Sequence, residues 1–466
     1  MNYISTRGEK KKLNFSDILL LGLARDGGLY IPQKWPKFSA KDIKRLKNKN
    51  YNEIAFEVSR KFIGNEINKK ELKKIINNSL KKFSNKEVAK IRPLSHYEWL
   101  LELYHGPTLA FKDYALQIVG NLLNYTLKKK KKKITIIGAT SGDTGAAAID
   151  ACKNKNTMEV FIFHPKGKIS EVQRKLMTTV NSKNIHNIAI DGDFDDCQKI
   201  IKKLFVDPDL KSKFNFSAIN SINWARILFQ TIYYFFSVIK IKSNKNIIFS
   251  VPSGNFGNIY SGYVAKKIGL QFDKLIIATN SNDILSTFTN KGVIRLKSIK
   301  HTITPSMDIQ LPSNLERFIF DLFKSKTKYV NKSLKKLVKY KRMDINKEKI
   351  KQIQKFFYAK SVSEKETINM IKEIFIKNKV IIDPHTAVGI AAGRKLNKNK
   401  HPIVYISTAH PSKFPDIVKK SINQYPDLPR NLIDLLKRKE KYETIELNYY
   451  KVKNYLLKQS NFVKNV

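Results

Sequence analysis

The sequence predicts an α/β protein built mainly on parallel sheet and preceded by a mostly helical N-terminal domain. From about residue 130 onward, short β-branched runs alternate with helical stretches: ITIIGA, VFIFHP, NIAIDG, IIFSVP, KLIIATN, VIIDP and PIVYIST. Strand-then-helix alternation of this kind builds parallel sheets. Residues 1–80 instead carry helical periodicity. With 42% hydrophobic residues over 466 positions, the chain can fill roughly two to four cores and is far from a disordered composition.

The elements follow in order. Ser16 can cap FSDILLLGLA, and the Asp26-Gly27-Gly28 turn ends that segment. YNEIAFEVSRKFIG and KKELKKIINNSLKKF then continue the helical pattern, completing an N-terminal domain over residues 1–80. The core is expected over 81–425, with a helical, lysine-rich insertion near 290–380 in which PSMDIQLPSNLERFIFDLF reads as loop plus helix. Residues 426–466 read as a polar, charged C-terminal tail.

A formal charge of +49 would by itself suggest nucleic acid or an anionic membrane surface. However, most of the 88 basic residues are lysine, and Asn, Ile, Phe and Tyr are abundant beside them, the pattern that A/T-rich codons produce. The charge is therefore read as background composition, with no nucleic-acid partner. The run Lys128–Lys133 is read the same way, as a solvated connection, since no aromatic residues interleave it for base stacking. Cys152 and Cys197 are the only cysteines, too few for a disulfide framework and without metal or redox spacing. No metal site is expected. MNYISTRGEKKKLNF lacks a signal core and DILLLGLA is too short to span a bilayer, so a cytoplasmic protein with no membrane partner is expected.

In open parallel sheets ligands bind where strand ends enter helices, and three such loops are suited to a ligand with anionic and polar groups. In ITIIGATSGDTGAAAID, Thr140, Ser141 and Thr144 precede a helix of small residues, whose N-terminal N–H groups favour an anion. In IIFSVPSGNFGNIY, Gly254 and Gly257 allow close main-chain approach, and successive N–H groups can form a phosphate nest. The spacing is neither GxGxxG nor GxxxxGK[ST], which removes the dinucleotide and P-loop readings. In PIVYISTAHPSKF, a strand ends at Thr408, whose hydroxyl can meet a ring nitrogen. Before all three stands Lys112, in LELYHGPTLAFKDYA, next to Leu109, Ala110 and Phe111. Partial desolvation there favours the free amine and hence a Schiff base. Pyridoxal phosphate is the one ligand that would use all four features, since it needs a phosphate nest, a lysine amine, a partner for its ring nitrogen and a carboxylate site for its amino-acid substrate.

The stretches YISTRG, FSDILLLGLARDGGLYIP, YHGPTLAFKDYA, ATSGDTGAAA, NSINWARILFQ, VPSGNFGN, DPHTAVG and STAHPSKF occur in this order across nearly the whole chain. Together they resemble the threonine synthase family, in its longer branch with an N-terminal domain. The resemblance implies a fold-type-II pyridoxal-phosphate enzyme, similar to the tryptophan synthase β chain. Its core would be two open twisted α/β lobes. It also implies the conversion of O-phospho-L-homoserine and water into L-threonine and phosphate, the last step of threonine biosynthesis. By that match Lys112 is the Schiff-base lysine, with Phe111 beside the cofactor. Gly254, Asn255, Phe256, Gly257 and Asn258 hold the cofactor phosphate, and Thr408 meets the ring nitrogen. Thr140, Ser141 and Thr144 are candidates for the substrate carboxylate, with Asp143 grouped among them. The shorter branch carries SGN where this chain has SGD, so the asparagine role is not transferred to Asp143.

Arg226, with Asn223 and Ser221, is the candidate clamp for the leaving phosphate, because a guanidinium fork matches phosphate oxygens. The alternative is that Arg226 pairs with a carboxylate on a surface helix. His385 and His410 either contact the ring or phosphate, or are hydrogen-bonded structural residues. A monomer or weak homodimer is expected. Two rival functions remain: a serine or threonine dehydratase using the same cofactor, and a basic protein that binds single-stranded RNA.

Overall fold

The fold is that of a computed structural model and is described for residues 1–217 and 221–463. The chain divides into two compact units. The first comprises Met1–Leu19, Leu23–Phe111 and Ser221–Pro426. The second comprises Leu20–Gly22 and the described parts of Lys112–Asn220 and Asp427–Val466.

The second unit is a five-stranded, all-parallel sheet in the order Glu443–Glu446, Ile185–Asp191, Met158–Pro165, Ile134–Ala139, Phe216–Ser217. Met158–Pro165 is buried along its whole length, which is why its sequence shows a continuous apolar run instead of alternation. One sheet face packs Ile137, Phe161 and Ile188 against Ile200 and Leu204 of the helix Phe194–Val206 and against Val452 and Leu456 of the helix Tyr449–Gln459. The helices Lys112–Lys129 and Asp143–Cys152 pack on one another. A Cβ at Gly120 would come within 2.5 Å of the Ala151 carbonyl oxygen, so only glycine permits this approach.

Residues 427–463 are therefore part of the second unit, supplying an edge strand and a helix. Lys453 pairs with Asp207 at 2.9 Å, and Arg174 forks onto Glu440 at 2.8 and 3.2 Å. The last three residues of the expected tail lie outside the described residues. Lys133, the last of the six-lysine run, places its ammonium 4.9 Å from the Phe462 ring centroid.

The first unit is a six-stranded sheet in the order Phe357–Ser361, Leu275–Thr279, Ile248–Pro252, Ile403–Ser407, Glu98–Glu102, Lys90–Ser95. All neighbours are parallel except the last pair, an antiparallel hairpin. Ala387, Val388 and Ala391 of the helix Pro384–Leu396 share a core with Ile276, Ile403 and Tyr405. The expected strand at VIIDP is absent. Residues 380–383 form no ladder, and Asp383 instead caps the following helix by accepting from the N–H groups of His385 and Thr386. The lysine-rich region 290–380 is largely helical, yet it also supplies the edge strand Phe357–Ser361.

Residues 1–19 and 23–80 pack within this first unit. The strands Tyr3–Ser5 and Tyr30–Pro32 pair antiparallel, and the Tyr3 hydroxyl donates to the Phe62 carbonyl at 2.9 Å. The helix Tyr51–Ile63 starts at an Asn50–Glu53 capping box and ends at Gly64, whose φ of 67° suits glycine. Its Tyr51 meets Phe236 of the long helix Trp224–Lys240, with ring centroids 5.4 Å apart.

Candidate active site

Lys112 is the first residue of the helix Lys112–Lys129. The approach to it is latched in the first unit. Leu109 takes a φ of 60°, Ala110 bridges to Ala409, and the Phe111 N–H donates to the Thr408 carbonyl at 2.9 Å. The Lys413 ammonium closes the same turn by donating to the Thr108 carbonyl at 2.8 Å.

Lys112 itself is buried, at 8% exposure, but its amine does not end in apolar surface as its sequence neighbours suggest. Its Nζ lies 3.0 Å from Oδ2 of Asp143, and Gln173 donates to the other Asp143 oxygen at 3.0 Å. Asp143 is the first residue of the helix Asp143–Cys152. Thr140 shapes the preceding turn, its Oγ1 accepting from the Gly142 and Gly145 N–H groups at 3.0 and 2.9 Å. Ser141 and Thr144 are half-buried. Gly142, at φ 124°, and Gly145 leave no room for side chains, since a Cβ would come within 2.8 Å of Gln173 and 2.5 Å of Thr140 respectively.

In the first unit, the strand Ile248–Pro252 runs into Ser253-Gly254-Asn255-Phe256 and then the helix Gly257–Lys267. Phe256 is left-handed at φ 61° and directly precedes the helix, a change of backbone sign by which consecutive N–H groups can form an anion nest. Phe256 keeps that conformation because its buried ring packs 5.8 Å from Phe357 and 6.0 Å from Phe318. A Cβ on Gly254 would lie 2.5 Å from the Ser306 carbonyl oxygen. Asn258 accepts the hydroxyls of Tyr233 and Tyr234 on Oδ1, at 2.6 and 2.8 Å, whereas its buried Nδ2 has no partner among the described residues.

Thr408 follows the strand Ile403–Ser407, and its N–H donates to Thr386 Oγ1 at 3.3 Å. Thr386 in turn bonds Ser407 at 3.0 Å and the fully buried Asp383. His385 is held on both sides, by Asp383 at Nδ1 (3.0 Å) and by the Ser306 N–H at Nε2 (3.3 Å), so the structural role applies to it. His410 bonds Ser412 at 2.8 Å, and burial pushes its pKa down to about 4.

Asn220, which opens NSINWARILFQ, lies outside the described residues. Ser221 is 3.2 Å from Ser313. Asn223 caps the helix Trp224–Lys240, accepting the Ala225 N–H and donating to the Leu19 carbonyl, both at 3.0 Å, so its amide is committed to the fold. Arg226 is 3% exposed, and its Nε and Nη1 have no partner among the described residues. Burial pushes its pKa down to about 10. A surface ion pair is thereby ruled out for Arg226. Sequence reading missed the Lys112–Asp143 pair, the Asp383–Thr386–Ser407 chain, and Asn314 with Arg317, which bond the loops at 221–222 and 255. Lys112 and Asp143 are 31 positions apart, Thr386 and Ser407 21, and Asn314 and Ser221 93, and no local spacing marks these partners. Among the described residues no cluster of His, Cys, Asp and Glu could hold a metal ion, and no helix is long and apolar enough to cross a membrane.

Residues 2–80 match the family described as threonine synthase N terminus. Residues 88–336 match pyridoxal-phosphate dependent enzyme, and residues 386–456 match threonine synthase, C-terminal. The chain is 42% identical to the threonine synthase of Pseudomonas aeruginosa, with 99% of each protein covered. It is 39% identical to that of Saccharomyces cerevisiae, with 95% of each covered. Among solved structures, it superposes on the pyridoxal-phosphate-bound threonine synthase of Brucella melitensis with a TM-score of 0.96 at 40% identity, covering 99% of this chain and 100% of the other. For the yeast structure the TM-score is 0.93 at 37% identity, with 98% of each covered.

Proposed function

The chain belongs to the pyridoxal-phosphate-dependent threonine synthase family, and from that premise we propose which of its residues carry out the chemistry. Its reaction converts O-phospho-L-homoserine and water into L-threonine and phosphate.

The residues present fit the cofactor. Gly254 leaves open a position that a Cβ could not share with the Ser306 carbonyl, Asn258 offers a buried amide without a partner, and Lys112 offers a buried amine. Lys112 would hold the aldehyde, Gly254 to Asn258 the phosphate, and Thr408 the ring nitrogen, with Phe111 beside the ring. When bound, pyridoxal phosphate supplies an electron sink that acidifies the substrate's α-position and then its β-position. Thr408 would bring a hydroxyl, and not a carboxylate, to the ring nitrogen, a partner that would leave that nitrogen largely unprotonated and moderate the sink.

Once the substrate amine takes its place, Lys112 Nζ is the proton carrier. It would take the α-proton and pass it on before taking a β-proton, since one amine carries one extra proton at a time, and it would then return protons at Cγ and Cα as phosphate leaves Cγ and water adds at Cβ. Asp143, fixed by Gln173, holds that ammonium in position between transfers. Ser141, Thr144 and the N–H groups at the start of the helix Asp143–Cys152 receive the substrate carboxylate, and Thr140 shapes their turn. Arg226, with Ser221, receives the departing phosphate, and Asn223 sets the helix start that carries Arg226. We assign the protein to the cytoplasm as a monomer or weak homodimer without a nucleic-acid partner.

The observation that carries this reading is the buried Lys112 amine held by Asp143 at the junction of two helix N-termini. The test is to supply pyridoxal phosphate and O-phosphohomoserine to the purified protein and measure threonine and phosphate. Equal amounts of both are expected, and none from Lys112→Ala. Ammonia and an oxo acid from threonine would instead identify a dehydratase.

A further inference from the structure

Asn314 and Arg317 tie together three segments of the first unit that are remote in sequence. Arg317 is 0% exposed, and its guanidinium donates to the Tyr30 carbonyl at 3.0 Å, to the Ile222 carbonyl, and to Oδ1 of Asn314. The last bond fixes the sense of the Asn314 amide, since an oxygen occupied by a guanidinium leaves Nδ2 to donate. Nδ2 donates to the Ser221 carbonyl at 3.0 Å and to the Asn255 carbonyl at 3.2 Å. The Asn314 N–H reaches the same Asn255 carbonyl at 3.1 Å. That carbonyl therefore accepts two hydrogen bonds from one residue. Because the peptide is planar and trans, holding the Asn255 C=O on one side turns the Phe256 N–H to the opposite side. Phe256, left-handed at φ 61°, is the residue at which such a nest can form.

We propose that Asn314, oriented by Arg317, is a positioning residue that sets the Asn255–Phe256 peptide for the cofactor phosphate. The proposal rests on the assignment of the 253–258 loop to that phosphate. The full-length protein, freed of cofactor, is titrated with pyridoxal phosphate and, separately, with pyridoxal, which lacks the phosphate. Binding is followed by cofactor absorbance and each variant's Tm is recorded. Asn314→Ala is expected to weaken pyridoxal phosphate about tenfold, as for the loss of buried hydrogen bonds, and to leave pyridoxal nearly unchanged. Arg317→Lys keeps the charge but loses the fork, and should give the same selective loss at smaller size. If both ligands weaken alike in step with Tm, or neither changes, the proposal is overturned. Asn258→Ala tests the loop separately. If it keeps the preference for the phosphorylated form, the loop assignment fails and the proposal with it. If it loses that preference while Asn314→Ala keeps it, only the positioning role fails.

Discussion

Lys112 Nζ and Asp143 Oδ2 are 3.0 Å apart, with both side chains almost wholly withdrawn from solvent, and Gln173 fixes the carboxylate from its other side. Removing one partner of a buried ion pair costs about 3 kcal/mol. Asp143→Asn should therefore lower the unfolding free energy of the cofactor-free protein by roughly that amount. The penalty should shrink once Lys112 is occupied by cofactor, because its amine is then engaged by the cofactor. Urea unfolding with and without pyridoxal phosphate checks this, and an equal penalty in both states would count against the pairing.

The glycine at 254 makes a sharper prediction about the loop. A methyl group there meets backbone, the Ser306 carbonyl at 2.5 Å and Met307 Cα at 3.2 Å, and backbone cannot swing aside as a long side chain can. Gly254→Ala should cost about 1–3 kcal/mol of stability through overpacking and also weaken cofactor binding. Gly138→Ala, where the nearest atom is the end of Ile162 at 3.4 Å, is the control and should change little. Thermal unfolding and cofactor titration of the two variants separate crowding at the loop from a general intolerance of alanine.

His410 gives a pH dependence with a definite sign. Burial, with a smaller contribution from His105, pushes its pKa from 6.5 down to about 4, while Glu102 and Asp383 oppose the shift. The unfolded chain then binds a proton here that the folded chain refuses, so stability rises with pH across this interval. The contribution is fully present above pH 6.5 and is lost as pH falls from 6.5 towards about 4. His410→Asn, which keeps an acceptor for the Ser412 N–H, should flatten the stability profile within that window when unfolding is measured across it.

What could be read from the sequence was local. Lys112 after a Gly-Pro turn, two glycines bracketing Asn255 and Phe256, and Thr408 at a strand end each lie within one short loop, and local chemistry marks them. Partners across the fold leave no such mark. Asp143 is 31 residues from Lys112, and Arg317 lies 287 residues from the Tyr30 carbonyl it binds. The tail illustrates a second limit: ETIE is too short and too charged to stand out as a strand, but register against Ile188–Asp191 makes it one. VIIDP failed in the opposite direction, since a short apolar run has no periodicity of its own and Asp383 was needed as a helix cap.

Arg226 sets stability against function. Its guanidinium is buried with Nε and Nη1 unpartnered among the described residues, and its lowered pKa reflects the cost of keeping that charge away from water. A residue retained for packing alone would be better served by an apolar side chain of similar length, because an uncompensated buried charge opposes folding. Arg226→Met should therefore raise the unfolding free energy of the cofactor-free protein by about 1 kcal/mol or more. The same change should lower kcat/KM for O-phosphohomoserine by about a hundredfold, the scale expected when a desolvated phosphate loses a charge-assisted fork. Arg226→Lys should fall between the two, keeping charge without the bidentate geometry. Steady-state kinetics and urea unfolding on the same preparations decide the matter. If Arg226→Met lost stability and kept its kcat/KM, the guanidinium would be a packing element and the departing phosphate would have to be received elsewhere.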